Sequence, residues 1–324
     1  MKLRALRLVL ASTLLCMAGA AAAQSFPGKP VRVVPFGTAG GPVDIIARLY
    51  AERLRERWNQ PVIVEAKPGA SGTLAADLVA KAPPDGTTFL ITLSLTHINN
   101  VVVQKSIPYD PFRDFEPLSQ LAVGYGPALM APAGAPFSDL RELIAHAKRK
   151  PGGLTYGTWG TGSTPHLFSE MLAKQAGVQL MHVPYKGEAA AHLDLFAGAL
   201  DLAWANTGTA RTHLKSHKVK VLGATGSKRS DVLPDTPLFG EQGFEGFELT
   251  TWIAAYAPAR TPPAIVGELS AALREATRQP EIAARWRDIG FEPTGTTPTE
   301  LARIHKADFP KWTQMIQAAG IGPE

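Results

Sequence analysis

The sequence predicts an α/β protein of two domains, each built on one mainly parallel sheet. Three observations predict it. Short β-branched runs alternate with amphipathic stretches at helical spacing, which is the pattern of βαβ units. That alternation occurs twice, once before residue 100 and again from Leu154 onward. The 324 residues are enough to bury two ordinary cores.

The elements follow in order. Residues 31–36 read as a buried strand, and Ile45, Ile46, Leu49, Tyr50, Leu54 and Trp58 then recur at helical spacing. A second strand is expected at 62–65, a helix at 73–81, and a third strand at 89–93 after the Asp85-Gly86 turn. The later series has strands at 154–158, 179–183, 202–205 and 219–224, with helices at 165–176 and 188–196. Two segments, Ala131-Pro132-Ala133-Gly134-Ala135-Pro136 and Ala257-Pro258-Ala259-Arg260-Thr261-Pro262, share A-P-A-x-x-P. Each follows an apolar, strand-like run and precedes an amphipathic helix. These runs are expected to be two strands crossing between the domains in opposite directions. The first domain is then discontinuous, 24–126 plus 253–324, and the second is 127–252. The C-terminal part reads as helical. Thr297, Pro298 and Glu300 supply an N-cap, a proline at the first helical position and a capping-box glutamate.

The first 23 residues have the order of a secretory signal peptide. Lys2, Arg4 and Arg7 precede an apolar run, and small residues ending at Ala23 follow. The expected location is therefore the periplasm. The apolar run is shorter than the roughly 20 residues of a membrane span. A lipid anchor on Cys16 is the alternative, and Leu15 stands where such a site wants a small residue. Cleavage after Ala23 removes the only cysteine, and with it any disulfide, thiol nucleophile or cysteine metal site. It also removes three of the 33 basic residues and none of the 28 acidic ones, leaving 30 − 28 = +2. A near-neutral chain gives no electrostatic case for nucleic acid or an anionic membrane.

Two loops carry the chemistry. Gly37-Thr38-Ala39-Gly40-Gly41 joins the first strand to a helix opened by Pro42. Trp159-Gly160-Thr161-Gly162-Ser163-Thr164 joins strand 154–158 to a helix opened by Pro165. A helix N-terminus offers unpaired N–H donors and a partial positive charge, and glycines let a ligand approach the backbone. A lone loop of this kind is often only a tight connection. Two, one per expected domain, suggest facing halves of an anion-binding cleft.

Several further motifs run in order along the chain. They include Val34-Pro35-Phe36 with Ala39-Gly40-Gly41 and Asp44, Gln60-Pro61-Val62 through Lys67-Pro68-Gly69-Ala70, and Pro84-Asp85-Gly86-Thr87. Pro108-Tyr109-Asp110-Pro111, His182-Val183-Pro184-Tyr185-Lys186-Gly187 and Leu233-Pro234-Asp235 follow. The ordered set resembles the Bug-type solute receptors of tripartite tricarboxylate transporters. The resemblance implies a type II periplasmic-binding-protein fold, two α/β domains joined by two crossing strands and closing on a small carboxylate. It also implies that backbone amides, hydroxyls and water hold the anion, usually without an arginine. Two departures fall near the expected ligand. The first loop is one residue longer than usual, and Ala205-Asn206 replaces a common Asp-Asn pair.

The candidate ligand residues are Phe36, Thr38, Ala39, Gly40, Gly41, Asp44, Ser94, Thr96, Thr158, Thr161, Gly162, Ser163, Thr164, Tyr185 and Asn206. Asp44 has a second reading as a charge that steadies its helix end. Ser163 and Thr164 have one as helix caps, and Lys186, His166 and His182 read as exposed or packed residues. No nucleophile elbow, H-E-x-x-H or P-loop occurs in the sequence. No cofactor, metal or catalytic residue is expected. The expected partners are a small organic acid and the large and small membrane subunits of a secondary transporter, with the receptor itself a monomer. A sensory receptor presenting its ligand to a signalling partner is the alternative, with a hydrolase a distant third.

Overall fold

The computed structural model describes residues 26–318 together with Gly320 and Gly322; the expected signal peptide lies outside the described residues. The chain opens with β1 (Val31–Pro35), α1 (Pro42–Trp58), β2 (Val62–Val64), α2 (Thr73–Ala80) and β3 (Thr88–Leu93). β1 pairs in parallel with both β2 and β3. Covered on both faces, it reads as a continuous apolar run rather than an alternating one. α1 starts at Pro42, carries Asp44 in its first turn and Arg55 and Arg57 in its last, and stops at Asn59 in the left-handed conformation. Two short helices, α3 (Ser94–His97) and α4 (Asn99–Val103), then lead to β4 (Phe115–Gly124).

The second series is β5 (Ala128–Pro132), α5 (Leu140–Ala147), β6 (Leu154–Thr158), α6 (Thr164–Ala176), β7 (Leu180–Pro184), α7 (Glu188–Phe196), β8 (Leu202–Ala205), α8 (Thr207–Lys215) and β9 (Val219–Ala224). The chain returns through β10 (Trp252–Pro258), α9 (Pro263–Thr277), α10 (Pro280–Asp288), β11 (Phe291–Pro293) and α11 (Pro298–Ala318). Among the described residues, six strands form one sheet, in the order β11-β4-β10-β3-β1-β2. Five form the other, in the order β7-β6-β8-β5-β9.

Both sheets are mixed. Parallel pairing is confined to β2-β1-β3 in the first and β7-β6-β8 in the second. Most antiparallel pairs come from the strands that follow each crossing, and β11 adds one more against β4. β10 runs antiparallel between β3 and β4, and β5 runs antiparallel between β8 and β9. Each A-P-A-x-x-P segment begins within the end of one of these two strands, so the repeated tripeptide marks equivalent places in the two sheets. The crossings lie side by side, where the Gly124 N–H donates to Thr251 O (2.7 Å).

Packing explains why the C-terminal segment belongs with the first sheet. Tyr50 on α1 is fully buried, and its hydroxyl meets Thr277 Oγ1 on α9 (2.7 Å) and accepts from Trp286 Nε1 on α10 (3.1 Å). α11 is held at its start by the expected capping box, with Thr297 N–H donating to Glu300 Oε2 (2.7 Å) and Glu300 N–H to Thr297 Oγ1 (3.3 Å). It packs on β4 and also reaches α6, where Trp312 lies against Phe168. One apolar core therefore runs beneath both sheets, with separate cores on the outer face of each.

Candidate ligand-binding site

A cavity of about 340 Å³ lies where the β1–α1 and β6–α6 turns face each other, at the small end of the 300–1,000 Å³ range of ligand pockets. Gly37, Thr38, Gly41, Pro42, Val43 and Asp44 line it from one side, and Trp159, Ser163, Thr164 and Asn206 from the other. Phe36, Leu93, Leu95, Ile253, Ile289 and Phe291 make the remaining wall largely apolar. A second chamber of about 230 Å³ adjoins it, lined by Ser71, Asn100, Gln104, Thr161 and Gly162. Leu95, Trp159 and Ser163 border both.

The first turn is held from inside. Asp44 is almost fully buried, and its Oδ2 accepts from the Gly40 N–H (2.9 Å) and from Arg48 Nε (2.9 Å). Arg48 Nη2 reaches Oδ1 at 3.3 Å. Asp44 is the only charged residue on the cavity wall among the described residues, and its carboxylate is already engaged. Gly40 has φ +76, a left-handed conformation that a side chain strains. The N–H groups of Val43 and Asp44 fall in the first turn of α1, where no carbonyl within the helix can accept them.

The second turn is held by side chains beneath it. Ser163 Oγ donates back to Gly160 O (2.7 Å) and does not cap the helix. Thr158 Oγ1 accepts from the Gly160 N–H (3.2 Å) and shares a hydrogen bond with His182 Nε2 (2.6 Å). The Gly162 N–H, at φ +75, donates to His166 Nδ1 (3.1 Å). The His166 and His182 rings stack at 3.8 Å, and burial, with a smaller contribution from His166, pushes His182 down to about 4.

A third strand-to-helix turn, β8–α8, is closed by the protein's own anion. Glu188 Oε2 accepts from Asn206 N–H (3.0 Å) and Nδ2 (3.1 Å), and Oε1 accepts from Thr209 Oγ1 (2.5 Å). The lobes touch at this edge. A Cβ placed on Gly208 would lie 2.4 Å from Asp288 O, and one placed on Gly290 would lie 2.8 Å from Thr207 Oγ1.

Of the residues expected from sequence, Phe36, Thr38, Gly41, Asp44, Ser163, Thr164 and Asn206 line the larger chamber, and Thr161 and Gly162 the smaller. Six do not line either. Ala39 and Gly40 face outward on the first turn. Ser94 is buried, and its Oγ accepts from Trp252 N–H (3.3 Å). Thr96 Oγ1 donates to Ser71 O (3.1 Å), and Thr158 lies under the second loop. The Tyr185 hydroxyl donates to Asp194 instead of facing the cavity. Ala205 is fully buried opposite Ala128 in the second sheet, so only its neighbour Asn206 reaches the wall. Trp159, Leu93, Leu95, Ile253 and Phe291 were not foreseen as lining residues. An aromatic ring set inside a glycine-rich loop was the available signal for Trp159.

Two mixed α/β lobes, crossed twice by the chain and closing on a cleft between paired glycine turns, define a type II periplasmic solute-binding protein. The family described as "Tripartite tricarboxylate transporter family receptor" matches residues 46–321. The UPF0065 protein in the tcbD-tcbE intergenic region of Pseudomonas sp. (strain P51) is 35% identical over 294 residues, covering 90% of this chain and 87% of that protein. R. palustris Rpa4515, solved with adipate, is similar at 33% identity and TM-score 0.80, covering 93% of this chain and 100% of that one. MatC from Rhodopseudomonas palustris, with bound malate, is similar at 32% identity and TM-score 0.75, covering 90% and 100%. The chain belongs to the tripartite tricarboxylate transporter receptor family.

Proposed function

We propose that the protein is a secreted receptor that captures a small organic carboxylate between its lobes and delivers it to a transporter of one large and one small membrane subunit. The observation that carries this reading is the cavity itself. Two glycine-rich helix starts converge on it, and no lysine, arginine or histidine lines it among the described residues. Backbone donors and the hydroxyls of Thr38 and Thr164 are then the groups that take the anion, joined by Ser163 Oγ when it exchanges its bond to Gly160 O for the ligand, each helix end favouring a negative charge by roughly 0.3–1 kcal/mol or somewhat more when partly buried. The lobes divide as 24–126 plus 253–324 and 127–252, and the receptor acts as a monomer without catalysing a reaction on what it binds.

The apolar wall refines the ligand. Phe36, Leu93, Leu95, Ile253 and Phe291 favour an acid with a hydrocarbon or aromatic body over one carrying hydroxyls and carboxylates on every carbon. The adipate and malate found in similar structures bracket that choice. A thermal-shift panel of adipate, malate, citrate, benzoate and amino acids tests it. A true ligand at 100 times its Kd should add about 2.7 kcal/mol of stability. No shift with any acid would overturn the reading, and a preference for citrate would overturn the apolar-body refinement.

A further inference from the structure

Beneath the second glycine turn lies a cluster that the ligand reading does not use. Tyr156 on β6, His182 on β7, and His166 and Glu170 on α6 stack and bond together. The His182 ring lies between Tyr156 (5.2 Å) and His166 (3.8 Å), nearly parallel to both. The Tyr156 hydroxyl donates to Glu170 Oε1 (2.5 Å), and that oxygen lies 4.0 Å from His166 Nε2. Two bonds leave the cluster toward the turn, Gly162 N–H to His166 Nδ1 (3.1 Å) and Thr158 Oγ1 to His182 Nε2 (2.6 Å).

We propose that His166 is a positioning residue for ligand capture. Its ring accepts the Gly162 N–H, turns that donor away from the cleft, and thereby aims Ser163 and Thr164 at the anion. The inference rests on the ligand-binding reading above and deepens it. A buried backbone N–H must find an acceptor, and at φ +75 the Gly162 N–H has one only because an imidazole nitrogen stands under it. Accepting at Nδ1 puts the ring's own proton on Nε2, toward Glu170. His182 fixes the plane of the His166 ring by stacking on it, and it holds the start of the same turn through Thr158, whose Oγ1 also accepts the Gly160 N–H (3.2 Å). Without the acceptor, Gly162 N–H turns toward water or the cleft. Ser163 and Thr164, the next two residues, move with it.

The experiment compares His166→Leu with His166→Asn, whose side-chain oxygen can replace Nδ1 as the acceptor. In the unliganded protein, Gly162 amide exchange should speed up at least tenfold in His166→Leu and stay within about threefold of wild type in His166→Asn. With the best acid from the panel, His166→Leu should bind at least tenfold more weakly and discriminate less among acids, and His166→Asn should recover most of both. Equal loss in both variants would mean that ring packing and not the acceptor matters, and would overturn the proposal. So would wild-type affinity in His166→Leu. The exchange measurement needs no ligand, so it stands even if no acid in the panel binds, and it separates failure of this inference from failure of the functional reading. If His166→Leu fails to fold, Gly162 exchange and binding in Ser163→Gly, which removes the side chain being aimed, give the second comparison. Loss of acid discrimination there with Gly162 protection unchanged would support the proposal, and unchanged discrimination would overturn it.

Discussion

The two glycine turns do the same geometric task with different fastenings. The first is tied by an ion pair, with Asp44 on α1 bridging the Gly40 N–H just before the helix and Arg48 one turn further along it. The second is tied by uncharged groups drawn from three elements, Thr158 on β6, His182 on β7 and His166 on α6. A turn fastened within four residues is complete as soon as its helix forms. One fastened across a sheet depends on the packing of the whole lobe. The first turn therefore suits a fixed anion platform, and the second suits a surface whose shape sets selectivity.

Acid should loosen the second fastening through His182, and it should weaken still more the buried His97–His305 pair elsewhere in the first lobe. Burial holds His305 near 4 and also lowers His97, while an unfolded chain takes up these protons near 6.5. A depressed histidine contributes stability that is present above 6.5 and lost as pH falls through 4. For His305, 3% exposed, the loss amounts to roughly 3 kcal/mol below pH 4. Urea midpoints measured from pH 7 to 4 should fall through this window, and His305→Phe should flatten the fall. His182 follows the same sign, so Trp159 fluorescence should change in the same window in both proteins. A midpoint independent of pH would refute this.

Gly208→Val comes next. Its Cβ cannot sit 2.4 Å from Asp288 O, so the lobes stay apart. Binding should weaken about a hundredfold, or ~2.7 kcal/mol, and scattering should show no compaction on adding ligand. Compaction equal to wild type would show that closure does not need this contact.

Asp44→Ala removes a buried partner of one backbone N–H and one guanidinium, a loss of ~1.5–3 kcal/mol, and should weaken every acid alike in calorimetry. Ser163→Ala and Thr164→Ala should cost about 1.5 kcal/mol and reorder the panel, mainly through faster dissociation. The reverse pattern, selective loss at Asp44 and uniform loss at Ser163, would exchange the roles assigned to the turns. Lys186→Ala, at an exposed position, should change affinity by less than ~0.5 kcal/mol.

Periodicity in the sequence located most of the long elements, though not β4 or α8, because strands covered on both faces and helices with proline starts leave local marks. α3 and α4 escaped it. Their Ser, Thr, Asn and Val residues are poor helix formers, and tertiary packing around the fully buried His97 holds them. The two glycine turns were legible for the same local reason, and their partners were not. Asn206 and Glu188 are 18 residues apart, and the meeting of His166 with His182 depends on β6 pairing with β7. Tyr185 misled because its place after a strand says nothing about which way the ring points.

The double crossing also sets an order of assembly. In the second sheet the widest pairing joins Ala128 to Ala224, 96 residues apart, all inside one continuous stretch. In the first, Leu93 waits for Ile253, 160 residues later, and Gly124 waits for Phe291. Long-range pairing is slow because the loop must close before its contacts form. During synthesis the later half of the cleft can therefore be finished while the earlier half still lacks its central strand. The first turn, though written earliest in the chain, gains its final wall at Ile253 and Phe291 only when the chain is nearly complete.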